Sequence, residues 1–335
     1  MLLNFEFENY KSYRENNVIN MNGENSCLIV GEELSGKTNA IEALICCISH
    51  IISPIQFIHR EEIKIYKKCI PFFYGALDES DCTKFKIEVE LNKDIYKYSI
   101  NIKNNQNMIS IEAESLTINE IKMYDREKEK IELCNDFINL SYLTSVDSSM
   151  PYISYLSVTE KNERIERLIN YLKEIICIDT SLNSYISNDY TQKCLLDNKT
   201  LILKILKSVD KNFKDYYLRG DKSIISIYHI DSQDVEIDVK DDSATIQQIF
   251  VFLPQILDSI RKGNLIVIDD IDKKINKKTL KNIISIFKDD KVNRKKSQLI
   301  ASITKYNDVK TIENNIIFTI KEKDLKTRFT NLIGE

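Results

Sequence analysis

This sequence lacks several of the features that mark membrane, secreted and glycine-rich proteins. Only 7 of its 335 residues are glycine. No uninterrupted apolar run reaches the roughly 18 residues that a membrane-spanning helix needs. The opening segment MLLNFEFENYKSYRE alternates and is acidic, so it does not have the basic-then-apolar pattern of a secretory signal. These absences predict no membrane span, no export and a cytoplasmic location.

Zinc ligands and a uniformly basic surface are also missing. The 8 cysteines are scattered singly except for Cys46 and Cys47, and no CxxC or paired Cys/His spacing occurs. This argues against a zinc site and favours free thiols in a reducing compartment. The net charge of −4 argues against a chain that coats nucleic acid everywhere, although a local basic patch stays possible.

The apolar pattern alternates between strand and helix periods, which predicts a mixed α/β chain. Residues 84–102 predict a hairpin that 108–116 and 121–133 extend into an antiparallel sheet. Helical periods cover 165–176, 203–213, 244–262 and 276–288, and the helix after residue 39 is expected to end at Pro54. Short apolar strands are predicted at 27–30, 224–230, 235–239, 265–270, 298–302 and 315–320.

The segment GEELSGKT, residues 31–38, lies between the strand CLIV and an apolar helix. It fits G-x-x-x-x-G-K-[ST], in which backbone N–H groups and a helix N-terminus surround phosphate oxygens. Lys37 is expected to reach the β and γ phosphates of a nucleotide, and the Thr38 hydroxyl is expected to hold Mg²⁺. Glu32 and Glu33 occupy variable positions and are expected to face outward. The predicted nucleotide-binding residues of this segment are Gly31, Ser35, Gly36, Lys37, Thr38 and Asn39. The alternative is a plain turn between strand and helix.

A second half of the site is predicted at LIVIDD, residues 265–270, where an apolar strand ends in two carboxylates. Asp269 is expected to bind Mg²⁺ directly or through water. Asp270 stands where a general base would orient the attacking water. Such a strand end is common by itself, and the upstream phosphate motif makes it the best candidate for the metal site.

The order of these segments resembles an ABC-type ATPase head of the SMC, RecF and OLD kind. It resembles more closely the AAA-family ATPases that are linked to abortive infection and anti-phage defence. The resemblance spans nearly the whole chain. The segments that carry it are FEFENYKSYRE (5–15), GEELSGKTNAIEAL (31–44), ILKSVDKNFKDYYL (205–218), VEIDVKDDSATIQQIFVFLPQILDSI (235–260), LIVIDDIDKKINKKTLKNIISIF (265–287) and QLIASITKYNDV (298–309).

The resemblance implies homodimers or higher homo-oligomers that hold ATP between subunits. One subunit would supply the phosphate motif and the carboxylates, and the other a signature segment that maps to Ser243, Ala244 and Thr245. A hydroxyl, backbone amides and a helix N-terminus would suit a γ-phosphate. Read alone, DDSAT is also an ordinary helix N-cap sequence. The family's switch histidine maps to Thr304.

Three positions depart from the family pattern. Ala244 replaces the signature glycine and adds a methyl group where backbone should approach phosphate. Asp270 replaces the usual glutamate and is one methylene shorter, and Thr304 cannot donate as an imidazole does. Together these departures predict intact ATP binding and hydrolysis that is slow or needs a partner.

Two further features have open interpretations. Lysines cluster at 273–281, and NRKK follows at 293–296. In related heads basic surfaces near the top of the dimer contact DNA, but a solvated helix face explains the lysines equally well. Asp272 resembles an aspartate that crosses the dimer interface, and it could instead be the N-cap of the next helix.

The sequence therefore predicts an α/β ABC-type P-loop ATPase head with an antiparallel β-subdomain and a helical insertion. Lobe I would occupy 1–136, the insertion 137–215, and lobe II 216–335 with the signature, carboxylate and switch segments. The resemblance implies a sensor or regulator in prokaryotic anti-phage defence, with a nuclease or toxin as a separate effector protein. One alternative is a RecF- or SMC-like DNA-maintenance ATPase, and another is a non-hydrolysing, nucleotide-gated scaffold that restrains a toxin.

Overall fold

The computed structural model describes residues 1–21, 23–62, 69–70, 82–105, 108–133, 146–179, 189–273, 275–305, 307, 313, 315–322 and 324–330. Contacts between residues group the chain into two compact units. The first unit comprises 1–175 with 315–335, and the second comprises 176–314. The division into lobes at 136 and 215 stays a prediction.

The first unit contains an antiparallel sheet that has seven strands in the described part of the chain. Its strands are β1 Leu2–Glu8, β2 Asn17–Asn20, β4 Thr83–Leu91, β5 Asp94–Asn105, β6 Met108–Ile118, β7 Ile121–Glu127 and β8 Lys130–Leu133. They lie in the order β2-β1-β4-β5-β6-β7-β8. Phe7 and Phe85 are paired across β1 and β4, and both are buried, as alternation on one apolar face requires. The hairpin predicted at 84–102 is confirmed.

Three more strands and three helices complete the described part of the first unit. They are β3 Ser26–Val30, α1 Lys37–Ile58, α2 Tyr152–Thr159, α3 Glu163–Lys173, β15 Ile316–Lys321 and β16 Thr327–Thr330. β15 pairs in parallel with β3 and antiparallel with β16. Every residue of β3 is buried, which explains why its sequence is an apolar run without alternation.

The second unit combines a parallel group of strands with a separate antiparallel sheet. Its elements are β9 Ile176–Asp179, α4 Asp189–Asp197, α5 Lys199–Val209, β10 Phe213–Leu218, β11 Ile224–Ile230, β12 Gln233–Asp238, α6 Ala244–Lys262, β13 Leu265–Asp269, α7 Lys277–Lys288 and β14 Gln298–Ile303. β13 pairs in parallel with both β9 and β14. β10, β11 and β12 form the antiparallel sheet.

Most predicted elements are confirmed, and their boundaries needed correction in three places. Pro54 lies inside α1, which continues to Ile58, because a proline near the end of a helix removes only one late hydrogen bond. Ile176 begins β9 and Phe213 begins β10, so both helical periods were extended too far. Each of these residues lies within four positions of a helix end and is apolar, so the period alone did not show where the helix ended. β16 was not predicted.

Helix α1 is long and apolar enough to cross a membrane by length and composition alone. Polar residues such as Ser49 and His50 interrupt its sequence, which is why no continuous apolar run was visible. Within its apolar window, 61% of the residues are buried inside the protein. A core helix of this kind meets the same criteria as a membrane span, so the helix is weak support for a membrane location.

A buried carboxylate fastens the start of α2 to the antiparallel sheet. Glu114 on β6 is 1% exposed. It accepts hydrogen bonds of 2.6 to 3.1 Å from the Tyr98 and Tyr124 hydroxyls and from the backbone N–H groups of residues 152 and 153. The buried Arg126 guanidinium lies 3.6 Å away. Burial raises the pKa of Glu114, and the donors around it act in the opposite direction by favouring the carboxylate.

Replacing Glu114 by glutamine should destabilise the first unit strongly. On either side the glutamine NH₂ group would face a backbone N–H that can only donate, and Arg126 would lose its buried counter-charge. We expect the free energy of unfolding, measured in urea, to fall by about 3–5 kcal/mol. The matched control is Glu112→Gln on the same strand, where the carboxylate forms a solvent-accessible ion pair with Lys128 and the expected loss is about 1 kcal/mol or less. Equal losses in the two variants would contradict the assigned role of Glu114.

Candidate functional site

The phosphate loop, defined here as residues 31–36, joins β3 to α1 and contains two left-handed backbone positions. Gly36, directly before the helix, has φ of 97°, and Leu34 has φ of 63°. Glycine adopts positive φ at little cost, whereas leucine does so rarely. Glu32 and Glu33 are exposed, which agrees with the expectation that they face outward. The loop therefore has the required strand–helix setting and a strained position that something else must stabilise.

The Lys37 side chain lies inside this loop. Lys37 is 5% exposed, and its Nζ donates to the Gly31 carbonyl at 2.9 Å and the Glu32 carbonyl at 2.8 Å. Both acceptors are neutral, so charged phosphate oxygens would be stronger partners for the ammonium group. The amine is thus placed where it can exchange loop carbonyls for phosphate.

At the start of α1 one hydroxyl is exposed to solvent, and hydrogen bonds to residues 12 and 13 stabilise the neighbouring positions. Thr38 is exposed, whereas the Asn39 side chain donates to Ser12 Oγ at 2.8 Å. The Tyr13 hydroxyl donates to the Gly36 carbonyl at 3.2 Å, and burial raises the pKa of Tyr13 well above its usual value. Tyr13 is therefore a neutral, permanent donor to the loop, and the turn that carries it is part of the site.

The donor set around Thr38 fits a magnesium ion that is shared with phosphate. No group of three or more His, Cys, Asp or Glu side chains able to hold a metal occurs among the residues that the structure describes. A Mg²⁺ ion bound to a nucleotide needs only one or two protein ligands, because phosphates and waters complete its shell. The exposed Thr38 hydroxyl beside Lys37 is a suitable ligand of this kind.

A cleft of about 530 Å³ opens beside the phosphate loop. It is lined by residues 30–35 and by 318–321 of β15. Leu34 is 86% exposed and Ile320 is 38% exposed, so part of this lining is apolar and accessible. The volume falls within the range of about 300–1,000 Å³ that small-molecule sites occupy, so the loop adjoins space for more than a phosphate group.

In the second unit, a buried serine contacts both the predicted metal ligand Asp269 and the predicted general base Asp270. Ser302 on β14 has no exposed surface. Its hydroxyl donates to Asp269 Oδ1 at 2.5 Å and accepts a hydrogen bond from the Asp270 N–H at 2.7 Å. Asp269 is the last residue of β13, which pairs with β14. The Ser302 hydroxyl therefore fixes the Asp269 carboxylate and the Asp270 backbone.

Asp270 combines backbone strain with an ion pair. Its φ is 50°, an uncommon value for a residue other than glycine, and such strain concentrates at functional positions. Its Oδ2 lies 2.7 Å from Lys273 Nζ, and its side chain is 19% exposed. The predicted general base is therefore held in an ion pair with the lysine that lies three residues after it.

Asp272 points inward and holds the residues that follow β14. It is 8% exposed, and its Oδ2 accepts from the N–H groups of Thr304 and Lys305 at 2.9 and 3.0 Å. The N-cap of α7 is Asn276, which accepts from the Thr279 N–H, so the N-cap interpretation of Asp272 is wrong. The predicted switch residue Thr304 therefore contacts Asp272 through its own backbone N–H group.

The predicted signature residues lie at the start of α6. Ser243 is the N-cap and accepts from the Ile246 N–H at 3.4 Å, so the N-cap interpretation of DDSAT is confirmed. Ser243 and Ala244 are exposed and Thr245 is half-buried. Asp242, which precedes them, accepts from the Ser243 N–H at 2.7 Å and from the Tyr228 hydroxyl at 2.8 Å. A γ-phosphate role for this segment stays a prediction.

Several residues that contact the predicted site residues were missed from the sequence. Ser302 and Thr319 lie on late strands, and Thr327 lies on the strand that was not predicted at all. No motif marks them, because their contacts depend on strand pairing across long sequence separations. The only available signal for Ser302 was a small polar residue inside an otherwise apolar strand.

Comparison with known proteins gives matches among solved structures. No protein-family model matches the chain, and no curated protein sequence matches it. The SMC head domain from Thermotoga maritima has a TM-score of 0.52 and 11% identity, and the match covers 99% of both chains. An SMC head bound to the C-terminal winged-helix domain of ScpA has a TM-score of 0.50 and 12% identity, and the match covers 98% of this chain and 96% of that one.

Both matches extend over nearly the full length of each protein, so they involve the whole architecture. At 11–12% identity such a likeness shows the fold alone. The predicted fold class is confirmed: this chain has the α/β fold of the SMC head domains, which is an ABC-type ATPase fold.

Proposed function

We propose that this chain binds ATP with Mg²⁺ and hydrolyses it slowly, as an ABC-type ATPase. The observation that carries the proposal is the Lys37 amine, which lies inside a phosphate loop between a buried strand and a helix. The fold shared with SMC heads supports the same activity. ATP would supply the phosphates that replace the loop carbonyls around Lys37.

Different residues of the loop would contact different parts of the triphosphate. The backbone N–H groups of residues 31–36 and the start of α1 would donate to phosphate oxygens. Lys37 would contact the β and γ phosphates, and Thr38 would ligate Mg²⁺. Ser35 and Asn39 would hold the shape of the loop and of the first helical turn, since the side chains of both contact residues outside the motif.

The carboxylates would bind the metal and orient water. We assign Asp269 to Mg²⁺ and Asp270 to the attacking water, with Ser302 fixing both. Asp270 is shorter than glutamate by one methylene, and catalytic geometry loses about a hundredfold in rate for a displacement of roughly 1 Å. The Asp270 carboxylate is also held by Lys273 and would have to leave this ion pair to contact a water. These two features are the basis for proposing slow hydrolysis.

A second copy of the chain would supply the signature segment. In this proposal Ser243, Ala244 and Thr245 of one subunit of a homodimer approach the γ-phosphate of the other, and Thr304 occupies the switch position. The Ala244 methyl group and the nearby Asp242 carboxylate both weaken an anion site at this helix N-terminus. Dimerisation driven by ATP would therefore be weaker than with a glycine signature.

Replacing Lys37 by alanine should abolish measurable ATP binding. The charged contact to two phosphates disappears, so we expect the dissociation constant for Mg·ATP to rise at least about a hundredfold, given about 1.5–3 kcal/mol for each charged hydrogen bond. Isothermal titration calorimetry measures the affinity, and light scattering measures the ATP-dependent dimer.

The matched control is Lys86→Ala, which removes an exposed lysine paired with Glu6 on the antiparallel sheet. This variant should bind ATP like the parent protein. A Lys37→Ala variant that binds, dimerises and turns over ATP like the parent would refute the assigned phosphate site.

Lengthening Asp270 to glutamate should speed hydrolysis. The carboxylate would advance by about one C–C bond length, and we expect kcat to rise by roughly ten- to a hundredfold at similar ATP affinity. Asp270→Asn should abolish turnover while it preserves binding. Phosphate release in multiple-turnover assays measures both. ATP binding without turnover in the parent and in Asp270→Glu would instead favour the non-hydrolysing scaffold.

We further propose that ATP occupancy regulates a separate effector protein, a nuclease or toxin, in cytoplasmic anti-phage defence. The support is the resemblance of the motif-bearing segments to ATPases of such systems. Dimer formation, which brings two signature segments to two loops, would be the state that the effector recognises.

The second candidate function is DNA maintenance of the SMC or RecF kind. The SMC head fold favours it, and so do the exposed lysines Lys277 and Lys278 at the start of α7. In this case ATP turnover would be coupled to duplex DNA instead of an effector protein.

The two candidate functions predict different behaviour toward DNA and toward neighbouring gene products. DNA maintenance predicts that DNA binds with an affinity that falls steeply with salt and that it stimulates hydrolysis. Defence predicts a stable complex with a co-expressed neighbouring nuclease or toxin that depends on ATP and Lys37. Fluorescence anisotropy and co-purification measure these outcomes, and Lys277→Ala with Lys278→Ala should weaken binding only in the DNA case.

A further inference from the structure

The phosphate loop is flanked by a hairpin of β15 and β16 that lies outside the motif. β15 pairs in parallel with β3 up to the pair Phe318 and Val30, so the next residue, Thr319, continues beside the loop. The hairpin closes through the Glu322 N–H, which donates to the Lys326 carbonyl at 2.7 Å. β16 then returns antiparallel and begins at Thr327. Each strand brings one threonine to the loop.

Thr319 contacts Ser35 of the loop through a buried pair of hydroxyl groups. Its Oγ1 lies 2.6 Å from Ser35 Oγ and donates to the Val30 carbonyl at 3.3 Å. Thr319 and Ser35 are each 5% exposed. Because the Thr319 hydrogen is used on Val30, the Ser35 hydroxyl is the donor within the pair. The Thr319 side chain therefore links Val30, the last residue of β3, to Ser35 in the loop.

This hydroxyl pair explains why residue 31 is a glycine. A Cβ on Gly31 would overlap both Thr319 Oγ1 and Ser35 Oγ, and it would lie 2.9 Å from the Thr319 carbonyl. No positive φ is required of Gly31. The glycine is therefore demanded by close packing against β15.

Thr327 lies beside the second glycine of the motif, and its side chain hydrogen-bonds a residue outside the loop. Its Oγ1 donates to Ser12 Oγ at 2.9 Å, and Ser12 also accepts from the Asn39 side chain. A Cβ on Gly36 would lie 2.8 and 2.9 Å from Thr327 side-chain atoms and 3.1 Å from Ser12 Oγ. Both motif glycines therefore leave room for a hairpin threonine.

We propose that the β15–β16 hairpin is the positioning element of the phosphate loop, with Thr319 as its principal residue. The proposal rests on the proposed ATP-binding function and adds to it a determinant outside the motif. The loop has only two glycines and holds Leu34 at a positive φ, so its own sequence specifies its shape weakly. Thr319 and Thr327 compensate by holding its two ends, which keeps the backbone amides aimed inward before phosphate arrives.

The test compares Thr319→Val and Thr319→Ser with the parent protein. Valine keeps the shape of threonine and removes the hydroxyl, and serine keeps the hydroxyl. The probes are Mg·ATP and inorganic tripolyphosphate, which has no base and reports on the phosphate loop alone. We expect Thr319→Val to raise the dissociation constants of both probes about five- to tenfold, as loss of one buried hydrogen bond implies. Thr319→Ser should restore most of the affinity.

The matched control is Ser99→Ala, which removes one hydroxyl of the Ser99–Ser115 pair on the antiparallel sheet. Thermal unfolding is recorded for every variant. If Thr319→Val lowers thermal stability no more than Ser99→Ala does but weakens both probes, the positioning role is supported. A loss of affinity in both variants in proportion to stability would overturn it, because Thr319 would then be merely structural.

The outcomes also separate this inference from the function on which it rests. If the parent protein fails to bind ATP and tripolyphosphate, the proposed function fails. If the parent binds both probes and Thr319→Val binds them equally well, the proposed function survives and the positioning role of Thr319 is refuted. Failure of Thr319→Ser to recover affinity would also refute it.

Discussion

The candidate site depends first on the two hydrogen bonds that the Lys37 amine donates to carbonyls of the phosphate loop. A buried ammonium group is costly unless its hydrogens are used, and here the Gly31 and Glu32 carbonyls use two of them. The same bonds keep the loop folded around the position that a phosphate would take. The Tyr13 hydroxyl and the hairpin threonines hold this arrangement from outside.

The second unit is organised around the acidic end of β13 in a comparable way. Ser302 fixes Asp269 and the Asp270 backbone, and Asp272 fixes the chain after β14. The two residues that make these bonds, Ser302 and Asp272, are both buried. For the proposed ATPase, a short carboxylate at position 270 that is held by Lys273 favours binding over rapid turnover.

Fold class and the phosphate motif could be predicted from the sequence, because both depend on local patterns. Alternation in β4 and β5 and the helical period of α6 reflect burial on one face, and GEELSGKT has fixed spacing. The helix ends near Ile176 and Phe213 were misplaced, because an apolar residue fits either a helix or a strand. Thr319 and Ser302 were missed, because their roles arise only when distant strands pair, and no local pattern encodes such a partner.

The pairing of β15 with β3 also determines when, during synthesis of the chain, the surroundings of the phosphate loop can become complete. A ribosome makes the N-terminal segments first, so the loop and α1 emerge long before Thr319, which lies 284 residues after its partner Ser35. Until the hairpin is made, the contacts of Thr319 and Thr327 beside Gly31 and Gly36 are missing, and the proposed phosphate site lacks its outer support. Competence to bind ATP would thus be acquired late, and a chain cut short before the hairpin would not compete for nucleotide or for dimer partners.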